Sequence, residues 1–313
     1  MLPAFLTTLL FAMSAVSANR STRVLGGMEA NFWRITLATL LLGLWAHTFG
    51  SGVSGAALPY FLISGLVGFG IGDLAFYQTL PRLGSRLSVL LVHCLAAPLA
   101  ALIEWLWIGT TLSSVQVAAS LTILVGVSIA LAPGKHLRIS KPMLFWGILL
   151  GTVAALGQSF GAVLSRKAYQ VASGTGQQID GLTAAYQRII AGWGVAAIGI
   201  VIARRHARSS TDTSGLADLP GQPRPGLRLA WPWVVANAVA GPTLGVGCFQ
   251  WALATQPTGV ILPIVATTPI VVIPFTLLLE GERPRKRSLL GGVIAVLGAI
   301  VLAGGAKLLA KLH

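Results

Sequence analysis

Apolar residues in this chain fall in long unbroken runs, and polar residues gather in the short connections between them. The runs cover about 2–18, 32–50, 58–80, 87–108, 115–132, 143–164, 182–203, 231–254, 258–279 and 288–305. Each comes close to the roughly 20 residues that an α-helix needs to cross hydrocarbon. A backbone without water must satisfy its own N–H and C=O groups, which leaves helices or closed barrels. A barrel would show alternation over segments of about ten residues, and these runs do not alternate. The pattern predicts ten spanning helices, with neighbours antiparallel about short connections such as PRLGSR at 81–86. One long connection, about 204–230, is rich in Pro, Gly and Ser and reads as a polar loop. The first run has the length and small residues of a signal peptide. Its basic residues, Arg20 and Arg23, follow it instead of preceding it, so it reads as a retained span.

Composition narrows the class. Of 313 residues, 55% are hydrophobic and 10% are charged, with a mean hydropathy of +0.80. A soluble domain carries about 25% charged residues, so soluble, disordered and fibrous classes are excluded. The net charge of +14 comes from 22 basic and 8 acidic residues. A nucleic-acid partner would need the basic residues on one exposed domain, whereas here they occupy connections. Counting alternate connections puts 17 of the 22 on one face, including Arg34, and 5 on the other, including Arg188. Lys and Arg in short loops stay cytoplasmic, so the count places both termini outside. Cys94 and Cys248 lie in apolar runs and give no disulfide framework.

The chain also repeats itself. Residues 68–132 match 241–304 in order: Phe76 falls on Phe249, Leu80 on Leu253, and Gly126 on Gly298. More faintly, Arg20 matches Arg166 and Arg34 matches Arg188. Five spans per unit is an odd number, so the second unit must be inverted. Inverted repeats with a midplane site between them are an architecture of secondary transporters. The predicted fold class is an all-α integral membrane protein of ten helices in two inverted five-helix units, 1–135 and 143–305.

GDLAFYQTLPRLGSRLSVLL with its following proline, and PTGVILPIVATTPIVVIPFTLLLEGERP followed by LLGGVIAVLGAIVL, resemble the two repeats of EamA-type permeases of the drug/metabolite transporter superfamily. The resemblance implies a central cavity, movement of small metabolites across a bacterial inner membrane, and cytoplasmic termini, against the charge count. Gly281-Glu282 keeps a family feature that reads Gly109-Thr110 in the first unit.

No phosphate loop, HExxH or GxSxG occurs, so neither an ATP site nor a hydrolase site is read, and no metal or cofactor is expected. The expected function is a secondary transporter of a small polar solute such as an amino acid. A lipid flippase of the same fold is the alternative, and an intramembrane enzyme comes after it. Partners are the solute, membrane lipid and protons, with homodimerisation left open.

Acids inside hydrocarbon are costly and functional or paired. Asp73 and His93 lie at equal depth on either side of the 81–86 turn, so Asp73 is expected to be protonated, paired with His93 or facing water in a cavity. Tyr77 and Gln78 follow Asp73 on the same span. Glu104 lies three turns beyond His93. Gln158, Ser159, Gln250, Trp251 and Thr267 are further candidates for a substrate pathway. Arg34 and Arg188, at equivalent places near span ends, read as snorkelling residues or as gating and anion-attracting ones. Glu280 and Glu282 read as interfacial partners of the basic residues at 283–287. Glycine pairs such as Gly147/Gly151 and Gly157/Gly161 read as close helix contacts. Pro263, Pro269 and Pro274 predict an interrupted helix in the ninth run.

Overall fold

The computed structural model describes residues 2–108, 113–131, 139–211, 225–281 and 286–309. Among them are helices and no strands: α1 (Leu2–Leu25), α2 (Gly27–Thr48), α3 (Leu58–Gly65), α4 (Asp73–Ile108), α5 (Ser114–Leu131), α6 (Lys141–Gly174), α7 (Gly181–Thr211), α8 (Pro225–Ala238), α9 (Val246–Thr255), α10 (Thr258–Val265), α11 (Thr268–Glu280) and α12 (Lys286–Leu309). Six stretches are long and apolar enough to cross a membrane: Leu2–Leu25, Leu58–Trp107, Lys141–Gly174, Gly181–Ile202, Arg228–Thr255 and Thr258–Glu280.

Breaks in these rods follow from the sequence. Gly84, at φ 76° and ψ 169°, divides α4. Ala75 and Val92 lie 17 residues apart, about 25 Å along a straight helix, yet they share one buried cluster with Ala154. The chain therefore doubles back at Gly84, as the antiparallel expectation requires. A π-helical turn, Leu66–Gly72, joins α3 to α4, and another, Val239–Gly245, joins α8 to α9. Pro242 lies inside the second and removes a ladder donor there. The ninth run is interrupted at Ala266–Thr267, where Pro269 opens α11. The carbonyl of Ala266 then accepts the Cys94 thiol at 3.4 Å.

Boundaries differ from the sequence pattern in two places. Gly26, at φ 79°, makes the turn between α1 and α2, so α2 starts at Gly27 and not near 32. Helix α7 continues through Thr211, so part of the segment read as a loop is helical. Ala and Arg favour helix once the chain leaves apolar surroundings.

The helices pack α2 on α7, α5 on α12, α4 on α6, α1 on α11, α1 on α8, and α6 on α3 with its π turn. The outside is apolar. On α12, Leu290, Val293, Leu297 and Ile300 are exposed at helical spacing, while Ala295 and Ala299 are buried toward α5. Lipid gives no hydrophobic drive for helix association, so close backbone approach has to hold such pairs. Gly126, Gly291 and Gly298 provide it between α5 and α12, and the glycines of α6 provide it against α4 and the first π turn. A Cβ on Gly157 would stand 2.7 Å from the Cα of Gly72, and one on Gly151 would stand 2.2 Å from Leu91.

This contact makes a prediction. Gly157→Ala should destabilise the detergent-purified protein by about 1–3 kcal/mol through overpacking on the π turn. Gly194→Ala on α7, where a Cβ meets nothing within 4 Å, should be neutral or stabilising. Thermal survival on size exclusion measures both, and equal midpoints would contradict the close packing.

Candidate functional site

Arg34 and Arg188 are each the eighth residue of their helix, α2 from Gly27 and α7 from Gly181. At 1.5 Å per residue each lies about 10 Å inside. Both are 5% exposed, so the snorkelling reading fails for both. The cause is the true start of α2, five residues earlier than the apolar run. Removing Arg34 from the 17 counted on one face and Arg188 from the 5 on the other leaves the loop charge bias at 16 against 4.

The two guanidinium groups face a cavity of about 120 Å³, room for several waters or a small solute. Its walls come from both halves of the chain, including Phe11 and Ser14 of α1, Phe69 of the first π turn, Asp73, Phe76 and Tyr77 at the start of α4, His93 past the Gly84 turn, Gln158 of α6, and Pro242, Val246 and Phe249 around the second π turn.

Asp73 forms an ion pair with Arg34. Of the three expectations for Asp73, the pair with His93 is thus corrected: the two line the same cavity, but the carboxylate goes to the guanidinium of a neighbouring helix. A carboxylate gains more from a charged, forked donor than from an imidazole. His93 instead meets the Gln158 amide at 3.0 Å and stacks on Phe11 with centroids 5.5 Å apart. Arg34 is held further by Asn31, whose Oδ1 accepts from Nε at 3.1 Å, and by the Tyr77 ring, 4.8 Å below the guanidinium carbon. The Tyr77 hydroxyl accepts from Asn237 of α8, and Asn237 in turn accepts from Ser14 at 2.7 Å. Arg188 donates from Nε to the Ser64 hydroxyl at 2.8 Å and lies over Phe69 at 5.3 Å.

Other candidates fall outside the cavity. Gln78 accepts from Arg82 at 3.2 Å. Ser159 is fully buried and donates to the carbonyl of Ala96 at 2.9 Å, an interhelical bond. Gln250 is fully buried and does not line the cavity. Trp251 is half exposed beside a separate recess near Asp180. Thr267, in the break between α10 and α11, donates to the carbonyl of Ile264 at the end of α10. The side chain of Glu104 lies outside the described residues. So do Glu282, Arg283 and Arg285. Glu280 accepts from Asn19 at 2.6 Å and from Ser85. Asn19 reaches it from α1 and Ser85 from beside the Gly84 turn.

Sequence reasoning missed Ser14, Asn31, Ser64 and Asn237, each a single small polar residue in an apolar run. Gly26 before Gly27 was the one available signal that Arg34 is deep.

Paired charges and aromatic walls enclosed by helices of both chain halves define a multi-pass membrane protein with a central polar chamber. The EamA-like transporter family matches residues 1–132 and 145–304, and the chain belongs to that family, whose members are membrane transporters. No curated protein matches. A solved crystal structure shares the fold at a TM-score of 0.62 and 18% identity, over 99% of this chain and 96% of that one.

The ion pair predicts a stability effect. Asp73→Ala leaves a buried guanidinium unpaired and should cost about 3–5 kcal/mol. Arg34→Met in the same protein should restore part of it. Thermal midpoints of the single and double variants check this; a single variant as stable as wild type would contradict the pairing.

Proposed function

We propose that the protein is a ten-helix secondary transporter of the bacterial inner membrane, carrying a small polar organic solute by alternating access between two inverted five-helix repeats, 1–135 and 143–305. The observation that carries this reading is the cavity, set between two π-helical turns at the same repeat register. Leu66–Gly72 and Val239–Gly245 differ by the 173 residues that separate Phe76 from Phe249. Packing supports the same symmetry. The α2–α7 and α5–α12 contacts each join equivalent helices. Contact of α4 with α6 is answered by α11 with α1, and contact of α1 with α8 by α6 with α3. π turns place backbone irregularity at functional sites, and in a membrane such backbone is tolerated where it lines a cavity.

Asp73 is the coupling residue in this reading. Its carboxylate holds Arg34 or takes a proton, and the exchange alters the polar chain from α2 through Tyr77 and Asn237 to α1. Asp73→Asn should abolish pH-gradient stimulation of solute counterflow in proteoliposomes while the protein remains folded; wild-type rates and pH dependence in that variant would remove Asp73 from the mechanism. Lipid scrambling without solute counterflow in the same vesicles would favour the flippase.

The remaining loop charge bias sets the orientation. A C-terminal green fluorescent protein fusion should be dark and an alkaline phosphatase fusion active. A bright fluorescent fusion would invert the arrangement and place the termini in the cytoplasm.

A further inference from the structure

The two halves of the cavity match in shape but not in charge. Arg34 and Arg188 stand at the same place in equivalent helices, both eighth, both 5% exposed. Both guanidinium groups lie over an aromatic ring, Tyr77 for one and Phe69 for the other. The residue that follows the first π turn is Asp73, the counter-ion of Arg34. The residue that follows the second is Val246, which also lines the cavity. Repeat symmetry therefore gives Arg188 an apolar side chain where Arg34 has its carboxylate. Among the described residues no acid lies within ion-pair distance of Arg188; Nε donates to the neutral Ser64 hydroxyl. That hydroxyl is itself bound to the carbonyl of Gly161 at 2.6 Å and to Ser165 at 2.9 Å.

A buried guanidinium is costly without an anion. Asp73 is in contact with Arg34 and reaches Arg188 only through space, so two guanidinium groups at the cavity share one carboxylate. The forked Nη edge of Arg188 is unused by any described side chain, and one Nη lies 3.0 Å from where a Cβ on Gly68 or on Gly161 would stand. The two glycines thus clear the space around that edge. Phe11, Phe76, Phe249 and Val246 provide the remaining apolar wall.

We infer that Arg188 is the anchor for the carboxylate of the transported solute, a small organic monoanion with an apolar body. This assignment rests on the transporter reading for its physiological meaning and on the geometry of Arg188 for its chemistry. The guanidinium receives the carboxylate bidentately, and the solute supplies the counter-ion that Val246 does not.

The test uses the detergent-purified full chain and a panel of benzoate, phenylacetate and hexanoate, their primary amides, and inorganic phosphate, with binding read as a ligand-dependent rise in melting temperature. Carboxylates should bind and amides should not. Arg188→Gln should weaken carboxylate binding about tenfold or more, as expected for loss of a charged hydrogen-bond pair, and Arg188→Lys should retain part of it. Val246→Asp provides an internal anion at the position equivalent to Asp73. It should abolish carboxylate binding without lowering the ligand-free melting temperature, which keeps the test valid if Arg188→Gln misfolds. Equal binding of amides, no binding of any panel carboxylate, preference for phosphate, or unchanged carboxylate binding in Arg188→Gln or Val246→Asp would each overturn the anchor. Counterflow in proteoliposomes separates this from the broader reading. Carboxylate binding without counterflow removes transport and leaves the anchor, whereas counterflow of the neutral amides alone removes the anchor and leaves transport.

Discussion

A guanidinium about 10 Å inside a membrane protein must have a partner, and the Arg34–Asp73 pair organises the structure around that need. The pair joins the first third of α2 to the helix that leaves the first π turn. From it a continuous polar chain runs through the Tyr77 ring and hydroxyl to Asn237 on α8, and from Asn237 to Ser14 on α1. Helices α1, α2, α4 and α8 are tied together by this chain of contacts. In a low-dielectric interior a partly satisfied network is worse than none. The network therefore fixes which faces of α1, α2, α4 and α8 point inward.

Away from that chain, cohesion takes other forms. Glycine contacts bring α6 against the first π turn and α4, and the small residues of α12 bring it against α5. The two ends of the bundle are closed by different chemistry. At one end the carboxylate of Glu280 accepts from Asn19 of α1 and Ser85 beside the Gly84 turn. At the other, Gln187 donates to the carbonyls of Gly52 and Ser54, and His47 meets the Tyr186 hydroxyl at 3.2 Å.

Apolar run length made the helical class and the membrane setting legible, because hydrocarbon imposes a minimum length that composition cannot disguise. The register of the repeat was legible too: the Phe76–Phe249 match is the offset at which the π turns recur. The depth of Arg34 was hidden because an apolar run marks where hydrophobic residues begin, not where the helix begins, and a left-handed glycine at 26 had already started it. The partner of Asp73 was hidden for a related reason. Sequence shows depth along one hairpin, where His93 is level with Asp73, but not which helix lies across from it. Ser159 illustrates the opposite case, a polar residue that points at a backbone carbonyl and has nothing to do with the cavity.

Duplication explains the position of the cavity, and divergence explains its chemistry. The π turns Leu66–Gly72 and Val239–Gly245 recur at the repeat offset, and residues of both line the cavity. Perfect copies would carry two ion pairs there and no net charge, a chamber with little reason to prefer any solute. Val246 stands where the repeat offset places the counterpart of Asp73, so Arg188 has no carboxylate in contact with it. Tyr77 and Gln250 diverge in the same way: one completes a hydrogen-bonded chain, while the other is buried with both amide atoms unpartnered among the described residues.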